Sequence, residues 1–359
     1  MSKLKLKVFV GLSGGVDSSV TAALLKEQGY QVTGVYMKNW SKDLPGMPCP
    51  WKQDYQDAKR VAVQLGIPFK MYDFEKEYRQ KVVEYMLAEY QAGRTPNPDI
   101  MCNQEIKFKL FFDTAIKDGA DLVATGHYAR VVNSYNSKSK EIQLLRAKDE
   151  NKDQTYFLYR VSESALAKTL FPLGDYTKPE VRKLAKKFGL VTANKAESMG
   201  ICFVGKVGIK DFLVHELGPQ KKGDVVDEHS RTVGQHEGAI FYTIGQRHGL
   251  DVGGGLPYYV TGKDMKKNIV YVSTDLNDKS LWDSSVSVKD VHWISARPTN
   301  KNIEVRTRHR AKLVKGVLEF GEYSAKVEIQ LKEDVRAITP GQSIVFYQGD
   351  VVLGGGIIY

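Results

Sequence analysis

The sequence predicts an α/β fold, with a doubly wound, mostly parallel sheet followed by a small β-rich central domain and a C-terminal β-barrel. Through about residue 130, short apolar runs alternate with amphipathic stretches, which is typical of parallel strands joined by helices. After about residue 210, strand-like runs are separated by Asn, Asp, Gly and Pro with hardly a helical pattern among them. We therefore expect three domains, over residues 1–210, 211–280 and 281–359.

The first domain is expected to alternate strands with helices whose apolar residues recur at helical spacing. The elements in order are a strand in KLKVFVGLS, a helix from Ser18 to Gly29, a strand in QVTGVYMKNW, a helix from Tyr55 to Leu65, a strand in FKMYDF, helices over 75–92 and 108–117, and a strand in DLVATGHYA. In such a sheet, ligands bind at the carboxyl ends of the strands.

The remaining strands are expected farther along the chain, bounded by turn residues. They are KNIVYVS, KNIEVRTRHR, AKVEIQLK, SIVFYQGD and VVLGGGII. The polar stretch VVNSYNSKSKE, residues 131–141, is interpreted as the tip of a hairpin.

Composition narrows the classes of partner and compartment. The 359 residues carry a net charge of +10, which is compatible with a polyanion such as nucleic acid. No run approaches the roughly 18 apolar residues of a membrane helix, and the N-terminus is interpreted as a strand and not as a signal peptide. Only three cysteines occur, Cys49, Cys102 and Cys202, which indicates a reducing, cytoplasmic setting.

The first strand leads into a glycine-rich loop and then a helix. Its residues are Gly11, Leu12, Ser13, Gly14, Gly15, Val16, Asp17 and Ser18. Backbone amides at a helix N-terminus form an anion-binding nest, and the hydroxyls of Ser13 and Ser18 add donors. The pattern is neither GxGxxG nor a P-loop, because no lysine follows the glycines. A tight strand-to-helix turn without a ligand is the alternative.

The loop resembles the SGGxDS signature of the PP-loop ATP pyrophosphatases, which transfer AMP from ATP to a carbonyl oxygen. The resemblance implies that the loop holds the pyrophosphate portion of ATP and that Asp17 binds Mg²⁺. It also implies that Met37 and Gly126, at the ends of two strands, lie against the adenine.

Two cysteines lie in contexts suited to chemistry. Cys102 follows Asn97, Pro98 and Asp99 at the start of an expected helix, where a thiol pKa is lowered, and Asp99 is near enough in sequence to act as acid or base. Cys202 lies in a short apolar stretch, GICFVG. Either cysteine taken alone is more often a small buried apolar residue than a catalyst.

The chain from Gly11 to Ile358 resembles the bacterial tRNA-specific 2-thiouridylases. The motifs that carry the resemblance are SGGVDSS, NPDxxCNxxIKF, GHYAR, KDQxYFL, FPLG, GICFVG, YTIGQRxGL, GQxxVFY and GGGII. The resemblance implies that ATP adenylates O2 of the wobble uridine and that Cys202 carries a persulfide loaded by a cysteine desulfurase or sulfur relay protein. Cys102 then either releases hydrosulfide from the persulfide or resolves a Cys102–Cys202 disulfide, and the sequence leaves both routes open.

The same resemblance implies the tRNA contacts of a monomeric enzyme. The residues are Asn97, Pro98, Asp99 and His127 around a flipped-out uridine, Lys152, Asp153 and Gln154 on the anticodon arm, and Arg308, His309 and Gln342. Chemistry on a base requires it to leave the stack. The stretch 306–312, RTRHRAK, is expected to be a basic strand facing phosphates, with a solvated edge strand as the alternative.

The chain departs from the family at two places. Glu197, Ser198 and Met199 replace a usual Asp-Ser-Gln, and His309 replaces a usual tyrosine. Cys49 is given no partner. The resemblance implies ATP with Mg²⁺ as the cofactors. No Cys-x-x-Cys pair is present, so we expect no iron–sulfur cluster.

Two rival functions remain at this stage. One is a PP-loop ligase of the amidating or argininosuccinate-forming type, which needs no cysteine pair. The other is a non-catalytic RNA-binding module that uses ATP as a sensor.

Overall fold

The computed structural model describes residues 6–43, 49–133, 142–196, 208–250, 252–253, 257–321 and 326–359. The strands are β1 (Lys7–Gly11), β2 (Gln31–Lys38), β3 (Phe69–Asp73), β4 (Leu122–Ala124), β5 (Arg130–Asn133), β6 (Ile142–Leu145), β7 (Thr169–Leu170), β8 (Gly223–Val226), β9 (Thr232–His236), β10 (Tyr259–Asp264), β11 (Ile269–Ser273), β12 (Trp282–Trp293), β13 (Asn302–Arg306), β14 (Val314–Phe320), β15 (Lys326–Arg336), β16 (Ser343–Gln348) and β17 (Val351–Ile358).

The α-helices lie mainly in the first half of the chain. They are α1 (Val16–Glu27), α2 (Trp51–Gln64), α3 (Glu75–Tyr78), α4 (Glu84–Gln91), α5 (Pro98–Met101), α6 (Phe111–Lys117), α7 (Glu163–Ala167), α8 (Lys178–Lys187) and α9 (Ile209–Leu217). Two π-helical segments join α3 to α4 and α5 to α6, over Arg79–Val83 and Cys102–Leu110. Within the described ranges, no helix is long and apolar enough to cross a membrane.

The first sheet is parallel throughout its described strands, in the order β3-β2-β1-β4-β7. Side chains of β1 alternate between two cores, with Phe9 facing one and Val8 and Val10 facing the other. Helices cover both faces, because α4 and α6 pack in the first core while α2 packs in the second. The predicted doubly wound sheet is confirmed.

The helix that we expect to start at Cys102 begins four residues earlier, and it continues without a break into the expected 108–117 helix. Helical structure runs from Pro98 through the π-helical segment to Lys117. Pro98 occupies the first helical turn, a position where its missing N–H removes no intrahelical bond. Cys102 is therefore the fifth helical residue and not the first.

A second sheet has the order β10-β11-β8-β9, and a third closes into a barrel. The barrel order is β12-β15-β14-β13-β16-β17, and β17 pairs again with β12. This confirms the β-rich centre and the C-terminal barrel. The hairpin β5–β6, from the first half of the chain, extends the barrel sheet because β6 pairs with β17 at Val351 and Val352. The predicted tip of that hairpin, 134–141, lies outside the described residues.

The expected basic strand over 306–312 is wrong, because β13 ends at Arg306. Arg310 has a φ of 63°, which breaks the extended conformation just beyond that strand. The arginines that follow therefore do not alternate across a sheet. Arg308 and Arg310 instead lie in a turn, where Arg308 donates to the carbonyl of Ile244 and Arg310 donates to that of Asn151.

Candidate active site

The glycine-rich loop connects β1 to α1 at the carboxyl edge of the parallel sheet. Gly14 has a φ of 75°, and a Cβ there would lie 2.3 Å from the backbone oxygen of Asp54. Only glycine fits both the left-handed backbone and the close approach of α2. The loop is therefore built around a glycine that cannot be exchanged without moving α2.

Two serines have different functions in this loop. The hydroxyl of Ser18 donates to the carbonyl of Gly15 at 3.1 Å and accepts from the backbone N–H of Ser13 at 3.1 Å. Ser18 is 5% exposed, whereas Ser13 faces solvent. Ser18 holds the loop in shape, and Ser13 is the hydroxyl available to a ligand.

Met37 and Gly126 lie beside the same loop. The methyl carbon of Met37 is so near Gly11 that a Cβ there would be 2.9 Å from it. A Cβ on Gly126 would meet the backbone nitrogen of Ser18 at 2.8 Å. The loop, β2 and the end of β4 thus converge, as the sequence predicts for strands that end at one edge of a sheet.

Asp17 is held by two residues that sequence reasoning missed. The ammonium of Lys178 lies 2.7 and 2.8 Å from the two carboxylate oxygens of Asp17, and the hydroxyl of Tyr128 donates to one of them at 3.0 Å. Lys178 is the first residue of α8, whose N-terminus carries a capping box between Thr177 and Glu180. A lysine 161 residues away supplies the positive charge that the loop itself lacks.

Cys102 lies one turn inside its helix and is 3% exposed, in a core with Phe9, Val35 and Phe111. One turn earlier, burial raises the pKa of the Asp99 carboxyl, although the charge of Lys107 opposes the shift. A carboxyl group with a raised pKa is suited to exchange a proton near neutral pH.

His127 follows β4 and is buried between Phe108 and Phe171, with ring centroids 5.6 and 6.2 Å away. Its Nδ1 lies 2.7 Å from the hydroxyl of Thr125. Burial, aided by the charge of Lys107, holds the pKa of His127 well below its usual range. His127 is therefore neutral at pH 7, which suits a polar wall of a base pocket better than a phosphate contact.

The three residues Lys152, Asp153 and Gln154 have separate environments. The side-chain oxygen of Gln154 accepts from the backbone N–H of Tyr128 at 3.0 Å. Asp153 is 1% exposed, and its carboxylate accepts from Thr155 and from Arg306 at 2.9 Å. Lys152 is half-buried on the same turn. The carboxylate of Asp153 is thus engaged inside the fold, whereas Lys152 and Gln154 lie nearer the surface.

Replacing Arg306 with methionine is expected to lower the free energy of unfolding by about 3 kcal/mol, because the buried Asp153 carboxylate loses its hydrogen-bonded cation and keeps only Arg146 at 3.9 Å as a charged neighbour. Lys312→Met removes the exposed pair with Glu333 and is the control, expected to cost less than about 1 kcal/mol. Urea unfolding of both variants measures the difference. Equal losses would contradict a structural role for the buried pair.

Arg308, His309 and Gln342, the barrel residues expected to contact tRNA, lie where the barrel packs against the rest of the chain. The His309 ring lies 4.5 Å from that of Phe157, and burial lowers the pKa of His309 to about 4. The Arg308 guanidinium donates to the carbonyls of Ile244 and Ala337 at 3.0 and 2.6 Å. The Gln342 amide donates to the carbonyl of Thr95 at 2.9 Å.

Cys202 and the departure at 197–199 lie outside the described residues. Just before them, Lys195 binds Asp54 at 2.8 Å and Asp57 at 2.7 Å, which fixes the chain to α2 beside the loop. Cys49 packs at the edge of the core that contains Cys102. Among the residues in the described ranges, no three His, Cys, Asp or Glu side chains cluster so as to hold a metal ion.

Three family models match the chain in succession. Residues 6–206 match the tRNA methyl transferase HUP domain, residues 210–274 its PRC-barrel domain, and residues 283–358 the aminomethyltransferase beta-barrel domain. Together they follow the parallel sheet, the central sheet and the barrel.

Relatives of this chain match it over nearly its whole length. A tRNA-specific 2-thiouridylase MnmA of Enterococcus faecalis is 48% identical over 360 residues, covering 99% of this chain and 95% of the relative. One from Listeria monocytogenes serotype 4a is 48% identical and covers 98% and 94%. Among solved structures, a 4-thiouridine synthetase in an RNA complex with bound ATP has a TM-score of 0.37 and 19% identity, covering 58% of this chain and 50% of that one.

Proposed function

The chain belongs to the tRNA-specific 2-thiouridylase family, and from this premise we propose that it adenylates O2 of the wobble uridine in tRNA and then replaces that oxygen with sulfur. One contact supports the proposal more than any other. Tyr128 donates to Asp17 of the nucleotide loop, and its backbone exchanges hydrogen bonds with Gln154, so the two expected sites share one residue.

The first step requires ATP at the glycine-rich loop. The loop amides and Ser13 would hold the phosphates, and Met37 and Gly126 would border the adenine. A carboxylate such as Asp17 suits Mg²⁺, which supplies charge neutralisation on the phosphates when bound. Lys178 would then exchange Asp17 for a phosphate oxygen and stabilise the charge that develops on leaving pyrophosphate.

The uridine would enter beside Asn97, Pro98 and Asp99, with neutral His127 as a wall. Uridine O2 attacks the α-phosphorus, the bond to the β-phosphate oxygen breaks, and AMP becomes the leaving group on C2. Lys152 and Gln154 would contact the anticodon arm, while Asp153 shapes the turn that carries them. Arg308 and His309 would support this surface from the barrel.

The sulfur step uses the two cysteines. In one route the outer persulfide sulfur on Cys202 attacks C2 and AMP leaves. The Cys102 thiolate then attacks the sulfur of Cys202 and breaks its bond to the transferred sulfur, which stays on C2. In the other route the Cys102 thiolate first attacks the sulfur of Cys202 and displaces hydrosulfide, which then attacks C2 as AMP leaves. Both routes deliver one sulfur atom and leave a Cys102–Cys202 disulfide, so an external thiol must reduce it before the next turnover.

Incubating the protein with α-labelled ATP, unmodified tRNA and a persulfide donor tests the proposal. We expect equal amounts of AMP, pyrophosphate and 2-thiouridine, the last measured by nucleoside mass spectrometry. AMP without thiolated nucleoside would favour a PP-loop ligase. ADP, or no turnover at all, would favour the ATP-sensing module.

Asp99→Asn is expected to reduce thiolation roughly 10²-fold, because the reaction loses a positioned general base. Because burial raises the Asp99 pKa, the folded protein binds this proton more tightly than the unfolded chain, and stability falls as pH rises through that range. The variant should therefore be more stable than the wild type at pH 7 despite its lower activity.

The check combines a pH–rate profile with melting temperatures. In the wild type, the acidic limb of kcat/KM should lie above the usual range of an aspartate and should be absent from Asp99→Asn. Asp113→Asn, at an exposed position of α6, is the matched control and should change neither quantity. An Asp99→Asn profile that keeps the acidic limb would contradict the assignment.

A further inference from the structure

The loop that precedes the proposed uridine pocket is held from two sides by parts of the chain far away in sequence. Thr95 is 9% exposed and lies two residues before Asn97. Its backbone N–H donates to the carbonyl of Pro340 at 2.9 Å, and its hydroxyl lies 3.1 Å from the hydroxyl of Thr243. Thr95 therefore contacts both the barrel and the central region.

Gln342 adds two further hydrogen bonds to the same loop. Its side-chain amide donates to the carbonyl of Thr95 at 2.9 Å and to that of Pro96 at 3.3 Å. A planar amide that reaches two successive carbonyls fixes the direction of both peptide groups. These are the last two peptide carbonyls before the pocket residues 97–99.

The turn that carries Gln342 is itself rigid. The backbone N–H of Gly341 donates to the carbonyl of Ile358, and the N–H of Ile358 donates to that of Gln342, both at 2.9 Å. Gly341 has a φ of 92°, and a Cβ there would lie 2.9 Å from the nitrogen of Thr95. The turn thus presses against the loop where only a glycine fits.

Arg308 connects the same turn to the central region. Its guanidinium donates to the hydroxyl of Thr339 at 2.7 Å as well as to the carbonyl of Ile244. Ile244 follows Thr243, whose hydroxyl meets Thr95. The residues Thr95, Thr243, Ile244, Arg308, Thr339 and Gln342 form what we call the three-way junction.

We propose that the three-way junction positions the uridine pocket, with Gln342 and Thr95 as positioning residues for base activation. This inference rests on the proposed function, because it assumes that residues 97–99 receive the uridine. The position of the uridine pocket then depends on the position of the barrel turn that carries Gln342. A shift of the barrel turn moves the two peptide groups that lead into Asn97.

Gln342→Leu is the central variant, since it keeps the side chain's approximate size but removes both donated bonds. We expect the single-turnover thiolation rate at saturating tRNA and ATP to fall about 10-fold. The Kd for tRNA should stay within about two-fold, and the slope of log Kd against log salt should not change. Gln348→Leu, at an exposed position at the end of β16, is the matched control and should behave as wild type.

The hydroxyl pair gives an independent test in milder variants. Thr95→Val and Thr243→Val each remove one member of the pair, and each should slow thiolation about three- to five-fold. Because they break the same contact, the double variant should be no slower than the slower single variant. Additive losses would overturn the coupling.

The outcomes separate this inference from the function on which it rests. A wild-type protein without thiolation would remove the proposed function itself. With an active wild type, a Gln342→Leu protein that weakens tRNA binding with a reduced salt slope would make Gln342 a phosphate contact and overturn the inference. A Gln342→Leu protein with unchanged rate would overturn it as well.

Discussion

Cys102→Ser is expected to reduce multiple-turnover thiolation by at least about 10³-fold, because a serine hydroxyl is hardly ionised at neutral pH and cannot attack a persulfide or a disulfide. Formation of adenylated tRNA and release of pyrophosphate in the first turnover should persist. The substitution is nearly isosteric at a site that is 3% exposed, so the core around it should keep its packing. Quantifying 2-thiouridine and pyrophosphate in the same reaction checks the first two statements.

The same variant distinguishes the two sulfur routes when Cys202 is loaded with persulfide beforehand. Direct attack on C2 would leave the tRNA joined to Cys202 through a disulfide, and adding a thiol to the denatured complex would release one equivalent of 2-thiouridine. Hydrosulfide release would give neither the joined complex nor 2-thiouridine without Cys102. Cys49→Ser is the matched control, and it should turn over like the wild type because Cys49 lies at the edge of the core. Sustained multiple turnover in Cys102→Ser would rule out both routes.

Lys178→Met is expected to slow the formation of AMP and pyrophosphate by about 10²- to 10³-fold, the range for loss of a preorganised group that stabilises developing charge. Lys178 is the ammonium seen at Asp17, and its side chain is 12% exposed, so water screens it weakly. Lys187→Met, at the other end of α8 and 67% exposed, is the control and should leave the rate unchanged.

Binding measurements separate the role of Lys178 from simple loss of structure. The affinity for ATP should fall in Lys178→Met, while the melting temperature without nucleotide should change little, because removal of the lysine leaves Asp17 partly exposed and bonded to Tyr128. Lys178→Arg keeps the charge and should recover part of the rate. A Lys178→Met protein with wild-type pyrophosphate release would contradict a contact with the phosphates.

The sequence predicts the parts of this site that are written in short stretches of chain. The loop from Gly11 to Ser18 is one continuous stretch of sequence, and its glycines indicate a tight turn. Its position between β1 and α1 can therefore be predicted directly. The helix start at Pro98 carries a local signal too, since proline favours the first turn. Our expected start at Cys102 overlooked this signal and lies four residues too late.

Contacts between distant stretches could not be predicted in the same way. Nothing near Lys178 in sequence distinguishes it from the other lysines of α8, and its pairing with Asp17 depends on how α8 packs beside α1. The basic run after Arg306 misled for a related reason. Its charge suggested a strand facing phosphates, but in the folded protein Arg306 pairs with the buried Asp153 carboxylate and Arg308 donates to backbone carbonyls.

Because β6 pairs with β17, the barrel sheet cannot be completed until the last residues of the chain have been synthesised. A strand made from residues 142–145 has to wait for a neighbour at 351–358, more than 200 positions later. Contacts of such long sequence separation form slowly and leave an unpaired strand edge open in the meantime. During translation, the first half of the chain emerges with one edge of the β5–β6 hairpin unpaired, so this edge is open to aggregation until residues 351–358 are made.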